Sequence, residues 1–221
     1  MRIRFVMPAL AATAALAAAT AALTAPTAAA TSKAPNDLTY GSNILLENQY
    51  RGDGGYLDTN GLSHHQGAAY DVSTNRSPNS RGPRTSVWKI LSATGIANGT
   101  RVTSGDVVYL VNQYAGGTYL DTNGVSARSG AKYDVSTTVT KDRGPGTGRW
   151  HIFGKTSSPT DGHIRTNDVV NLLNDYGAAN GGFLDTNGLS HQHGGAKYDV
   201  STSHYADRDH GTGSWKVLHS S

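Results

Sequence analysis

Three short runs in this chain alternate in the same way. They are Ile44-Leu45-Leu46-Glu47-Asn48, Val107–Asn112 and Val169–Asn174. Positions Ile44/Val108/Val170 and Leu46/Leu110/Leu172 are always aliphatic and sit two apart, while the residue between them varies (Leu45, Tyr109, Asn171). One constant and one variable face at a period of two predict a half-buried strand. Three more strands follow each run. Tyr56-Leu57-Asp58-Thr59 and its copies place Leu57, Leu120 and Leu184 inward. Tyr70–Thr74 and its copies place Val72, Val135 and Val200 inward. Trp88-Lys89-Ile90, Trp150-His151-Ile152 and Trp215-Lys216-Val217 set an aromatic and an aliphatic residue two apart around a polar one. That spacing puts the three Trp residues in the core.

The strands recur because the chain repeats. Leu-Asp-Thr-Asn-Gly occurs at 57–61, 120–124 and 184–188, so its Asp residues stand 63 and 64 positions apart. Tyr-Asp-Val-Ser-Thr recurs at 70–74, 133–137 and 198–202, and one Trp closes each unit. Self-similarity at a fixed period sets the architecture. The expectation is an all-β fold of three repeats, each of about 63 residues and four strands, at about 38–93, 94–157 and 158–221. Gly54-Gly55, Gly116-Gly117 and Gly181-Gly182 mark turns. Asn60-Gly61 and its copies predict the end of the second strand in a tight hairpin, since both residues tolerate positive φ.

The amino-terminal stretch has another character. Arg2 and Arg4 precede a long Ala/Leu/Thr run that ends in small residues at Ala28–Ala30. This is the layout of a secretory signal peptide over residues 1–30, followed by a disordered lead-in over 31–37 and a single domain over 38–221. The expected location is therefore extracellular, with no membrane span in the mature chain. The whole chain has 19 Lys+Arg against 16 Asp+Glu. Loss of the two leader arginines brings the balance to +1, which gives no support for a nucleic-acid partner. There is no Cys, so the fold relies on its core and thiolate metal sites are excluded.

Candidate chemistry recurs with the repeat. Tyr56/Asp58/Asn60, Tyr119/Asp121/Asn123 and Phe183/Asp185/Asn187 each set an outward aromatic residue, a carboxylate and an amide within five positions. A carboxylate accepts sugar hydroxyls, an amide donates and accepts, and an aromatic face covers the apolar side of a pyranose. The competing reading is that the Asp and Asn only build the turn. Tyr50, Tyr114 and Tyr176, each in an Asn-x-Tyr segment, are candidates for a second pocket wall or for ordinary packing. Asp71, Asp134 and Asp199 line a site or satisfy buried backbone. Arg81, Arg143 and Arg208, each seven before its Trp, form loop-pinning ion pairs or contact an anion. His64-His65 and His191 with His193 read as solvated loop residues. Glu47 is the single Glu, so the bidentate ligand of a calcium loop is missing and a catalytic carboxylate pair would have to be Asp–Asp.

The order of aliphatic strand, Gly-rich turn, Tyr-Leu and Trp-x-Ile/Val strand resembles the β-trefoil proteins, in particular their MIR-type branch and, more distantly, ricin-B-like lectins. The resemblance covers about residues 38–221. It implies a binding protein without chemistry of its own. On this expectation the chain is a secreted lectin-like protein, not an enzyme. It needs no cofactor or metal and binds glycans or cell-surface polysaccharide at up to three weak sites. The alternative is a secreted protease inhibitor acting through the odd loop Asn75–Val87.

Overall fold

The computed structural model describes residues 34, 36–192 and 194–220. The signal peptide expected over 1–30 lies outside them, as does His193. Of the lead-in, Ala34, Asn36 and Asp37 are described. Asp37 already belongs to the fold, because it is buried and pairs with Arg101 at 3.0 Å and Arg165 at 3.1 Å.

All four strands of every repeat form. They are β1 (Asn43–Asn48), β2 (Gly55–Leu62), β3 (Tyr70–Asn75) and β4 (Trp88–Ser92), then β5 (Val107–Asn112), β6 (Thr118–Val125), β7 (Tyr133–Thr138) and β8 (Trp150–Gly154). The third set is β9 (Val169–Asn174), β10 (Gly182–Leu189), β11 (Ala196–Ser203) and β12 (Trp215–His219).

Their pairing crosses the repeats. β1 pairs with β12, β4 with β5 and β8 with β9, and β1–β4, β5–β8 and β9–β12 close the ring. The hairpins β2–β3, β6–β7 and β10–β11 project from it and meet through β3–β7, β7–β11 and β3–β11 contacts. The β-trefoil expectation of three repeats with four strands each is corrected by this pairing. The chain is all-β, but it is one closed antiparallel barrel sheet of twelve strands. A strand's period reports which face it buries, not which strand lies beside it, so the repeat alone could not place these partners.

The barrel is filled as the alternation requires. Trp88, Trp150, Trp215, Leu57, Leu120 and Leu184 are fully buried, and Val72, Val135 and Val200 nearly so. Each indole N–H donates to a core-strand carbonyl, Trp88 to Leu57, Trp150 to Leu120 and Trp215 to Leu184, at 2.9–3.0 Å. The ring is therefore held by a hydrogen bond as well as by apolar contact.

One local expectation changes. Asn60-Gly61 does not end β2. The strand runs on to Leu62, and its register against β3 shifts between Asn60 and Leu62. Gly61 adopts φ 40°, Gly124 41° and Gly188 65°, so Asn-Gly forms a bulge at the same place in each hairpin. The bulge carries Leu62, Val125 and Leu189 out to 76%, 81% and 69% exposure. Large aliphatic side chains repeated at such exposure need a reason beyond folding.

Candidate functional site

Each bulge forms the lip of an open cavity at a junction between repeats. The same positions line all three: Thr59/Thr122/Thr186, Gly61/Gly124/Gly188, Leu62/Val125/Leu189, Arg81/Arg143/Arg208 and Thr85/Thr147/Thr212. Two tyrosines complete each wall. Tyr70 meets Tyr114 edge-on with ring centroids 5.5 Å apart, Tyr133 meets Tyr176 at 5.5 Å, and Tyr198 meets Tyr50 at 5.4 Å. The cavities measure about 310, 470 and 520 Å³. That is the size of a small-ligand site, roughly 300–1,000 Å³.

The Asn-x-Tyr segment is what fixes the second wall. Asn48, Asn112 and Asn174 end the first strand of each repeat and are fully buried. Each accepts from the backbone N–H of its own tyrosine, at 3.0 Å for Tyr50 and Tyr114 and 3.2 Å for Tyr176. Each also donates to a pocket threonine carbonyl of the preceding repeat: Asn112 to Thr85 at 2.7 Å, Asn174 to Thr147 at 2.8 Å and Asn48 to Thr212 at 2.8 Å. Thr59, Thr122 and Thr186 hydroxyls close the bracket on the same Asn oxygens. The two repeats that build a pocket are thus locked together behind it.

The floor is an arginine held by a buried aspartate. Arg81 meets Asp58 at 3.1 Å, Arg143 meets Asp121 at 2.8 Å and Arg208 meets Asp185 at 3.0 Å. All three aspartates are fully buried. Their guanidinium partners also donate to Thr59, Thr122 and Thr186 carbonyls. A loop from a different repeat grips two of them from the far side, Gly194 O on Arg81 Nε at 2.9 Å and Gln66 O on Arg143 Nη1 at 2.7 Å. Burial pushes the three carboxyls above their ordinary range. Hydroxyl hydrogen bonds and the arginine pull each back without cancelling that push; in Asp58 these are Ser86, Arg81 and Thr85. Burial likewise lowers Arg81, partly offset by Asp58. The aspartates and arginines that recur separately along the chain are thus partners. The ion-pair reading of the arginines holds, with carboxylates about 22 residues earlier in place of the adjacent Asp142 and Asp207. Those two pair instead with Arg149 and Lys155.

The aromatic–Asp–Asn sets are not brought together at one open site. Tyr56 leans on Glu47, Tyr119 packs edge-on against Tyr109 at 5.7 Å, and Phe183 is half-buried; none of them lines one of the three junction cavities. Asp58, Asp121 and Asp185 were expected outward. The segment after β3 folds back over that face and seals them, bringing Arg81, Thr85 and Ser86 onto Asp58. All three amides donate to the equivalent serine, Ser73, Ser136 or Ser201, and of the three Asn123 and Asn187 line their junction cavities while Asn60 does not. The residues that sequence reasoning missed are Tyr70, Tyr133 and Tyr198, whose only signal is that a tyrosine opens every Tyr-Asp-Val-Ser-Thr copy. The exposed Leu62, Val125 and Leu189 were missed with them.

A separate polar cavity of about 170 Å³ lies where the three hairpins meet. Asp71, Asp134 and Asp199 line it, with Arg128 on Asp199 at 2.5 Å and His65 3.8 Å from Asp134. His64, His65 and His191 are exposed. Among the described residues no three His, Cys, Asp or Glu side chains form a group that could hold a metal ion. No helix among them is long and apolar enough to cross a membrane.

No protein-family model matches the chain, and no curated protein matches it. The expected membership of a MIR-type or ricin-B-like β-trefoil family is corrected by the closed barrel sheet, and what the chain shares with the solved structures below is a fold. It is similar in structure to the SDF2-like protein from Arabidopsis thaliana, with a TM-score of 0.66 and 17% identity over 82% of this chain and 94% of that one. A Caenorhabditis elegans protein of unknown function gives 0.66 and 16% over 84% and 97%. The protein O-mannosyltransferase Pmt1-Pmt2 complex of S. cerevisiae, bound to the sugar donor, gives 0.62 and 16% over 86% of this chain and 27% of that one.

Proposed function

We propose that this chain is an exported sugar-binding protein without catalytic activity, and that its sites are the three junction pockets. The observation that carries the reading is that one pocket is built three times. Each copy has a tyrosine pair, an exposed aliphatic lip, and an arginine braced from behind. A pyranose offers an apolar C–H face and a rim of hydroxyls. The tyrosine faces and Leu62, Val125 or Leu189 suit the first; in two pockets the part-exposed guanidinium of Arg143 or Arg208, with Asn123 or Asn187, suits the second, while the N–H groups of Arg81 are all engaged within the fold.

In this reading Asp58, Asp121 and Asp185 position the arginines and do not touch the sugar. An arginine whose side chain is already fixed loses little conformational freedom on binding. Asp58, Asp121 and Asp185 are sealed against a cation, and Asp209 stands as a lone open carboxylate in the Tyr50/Tyr198 pocket, an arrangement that favours binding over acid–base chemistry. The single structural neighbour named above with a bound sugar donor fits a glycan partner, and three sites on one body suit a polymeric or cell-surface glycan through avidity. Export rests on the leader over residues 1–30. A glycan array probed with the chain tests the reading. Retention is expected for wild type and its loss for a folded variant with Tyr70, Tyr133 and Tyr198 all changed to Ala; equal retention by both would defeat it.

A further inference from the structure

The three pockets share a frame but differ in charge at two lining positions, of which the first is cationic. Arg51 follows Tyr50 on the wall of the pocket formed with Tyr198. The equivalent residues are Ala115 after Tyr114 and Gly177 after Tyr176. Arg51 is exposed, and its guanidinium lies 5.2 Å from the centroid of the Tyr50 ring. Among the described residues no carboxylate lies within ion-pair distance of it. Arg208, on the same floor, also keeps a donor in hand. Its Nε and Nη2 serve Asp185 and the Thr186 carbonyl. Its Nη1 makes no hydrogen bond among the described residues, whereas Nη1 of Arg143 is engaged by Gln66 O and Asn123 Oδ1.

We infer that the Tyr50/Tyr198 pocket takes a sugar residue bearing a carboxylate or sulfate, while the Tyr70/Tyr114 pocket takes a neutral sugar. The inference rests on the pocket reading above and assigns specificity within it. Arg51 and Nη1 of Arg208 supply donors to the anionic group, and a guanidinium fork suits both oxyanions. Asp209 also lines this pocket, where the other two have Gly82 and Gly144. Its carboxylate lies 3.3 Å from His210 Nε2 and can accept a sugar hydroxyl. Lys197, over the Tyr198 ring, is paired with Asp53 at 2.7 Å and adds no free charge, whereas Lys132, over the Tyr133 ring, is held by Asn180 O and Oδ1 and keeps its charge beside that pocket.

The test is a titration of the full chain and of Arg51→Ala with four matched tetrasaccharides. Chitotetraose is neutral, hyaluronan tetrasaccharide carries carboxylate, κ-carrageenan tetrasaccharide carries sulfate, and chondroitin sulfate tetrasaccharide carries both. Ala115 holds the equivalent position at φ 48°, against 49° for Arg51, so the substitution keeps the backbone. Wild type is expected to bind at least one acidic probe more tightly than chitotetraose. Arg51→Ala should lose about fivefold on that probe, the upper end for an exposed ion pair, and nothing on chitotetraose. About 0.5 M salt should abolish the difference. A gain confined to hyaluronan assigns a carboxylate and one confined to κ-carrageenan a sulfate. An unchanged ratio of acidic to neutral binding in Arg51→Ala overturns this inference and leaves the pocket reading standing. Failure of wild type to bind any of the four, or any glycan on an array, removes both.

Discussion

Asn112→Ala separates the bracket behind a pocket from the pocket itself. The amide of Asn112 holds three partners: the Tyr114 N–H at 3.0 Å, the Thr85 carbonyl at 2.7 Å and the Thr59 hydroxyl at 3.4 Å. Leaving a buried polar group unsatisfied costs about 1–3 kcal/mol. The Thr85 carbonyl still accepts from Thr59 N at 3.1 Å, and Tyr114 N is only part-buried, so both belong at the low end of that range. With about 1 kcal/mol more for the void left by the amide, the loss comes to roughly 3–4 kcal/mol. For a urea slope near 2 kcal/mol/M, the midpoint should fall by about 1.5–2 M. Binding at the Tyr70/Tyr114 pocket should weaken under conditions where the variant is still folded, because Tyr114 loses its anchor. Binding at the Tyr133/Tyr176 pocket should not change. Urea unfolding followed by Trp fluorescence, with a titration of the folded variant, measures both. A loss below about 1 kcal/mol would refute the claim that the bracket locks the repeats together.

Other outcomes follow from the same geometry. Asp58→Ala should lower stability by about 3 kcal/mol or more in thermal melts, and Asp121→Ala by less. The reason is that Arg81 would be stranded at 8% side-chain exposure while Arg143, at 28%, can be rehydrated. Equal losses would contradict this. The three buried carboxyls titrate above their ordinary value of 3.8, so just above that pH the folded chain holds more protons than the unfolded one. Their contribution to stability is therefore full below that value and falls as pH rises through the window. Urea midpoints of wild type relative to Asp185→Asn, from pH 3.5 to 7, should show the wild-type advantage shrinking with pH; a growing advantage would reverse the sign. Gly55→Ala should cost about 2 kcal/mol or more in urea unfolding, since φ is +84° there and a Cβ would lie 2.6 Å from the Asn75 carbonyl oxygen.

Much of the fold was legible because it is written three times. The inward Leu57, Val72, Trp88 and their copies follow from period-two alternation, and the closing Trp marks each unit. Strand partners were not legible, because β1 with β12 joins the two ends of the domain and no local pattern encodes that contact. The Asn-Gly bulge was misjudged as a hairpin end, since the same residues suit either use of positive φ. The site was legible as a set of recurring residues but not as an assembly. Asp58 and Arg81 were both visible, yet their pairing depends on a segment folding back over β2. Tyr70 and Tyr114 meet only because consecutive repeats abut, so reading one repeat at a time could not bring them together.

The central claim is that the paired tyrosines, and not the aromatic–Asp–Asn sets, form the binding surface. The direct measurement is an NMR titration of tyrosine ring resonances with a glycan retained on an array. The account predicts shifts at Tyr70, Tyr114, Tyr133, Tyr176, Tyr198 and Tyr50, with Tyr56, Tyr109 and Tyr119 unmoved. Shifts centred on Tyr56 and Tyr119, with the six pocket rings silent, would contradict it.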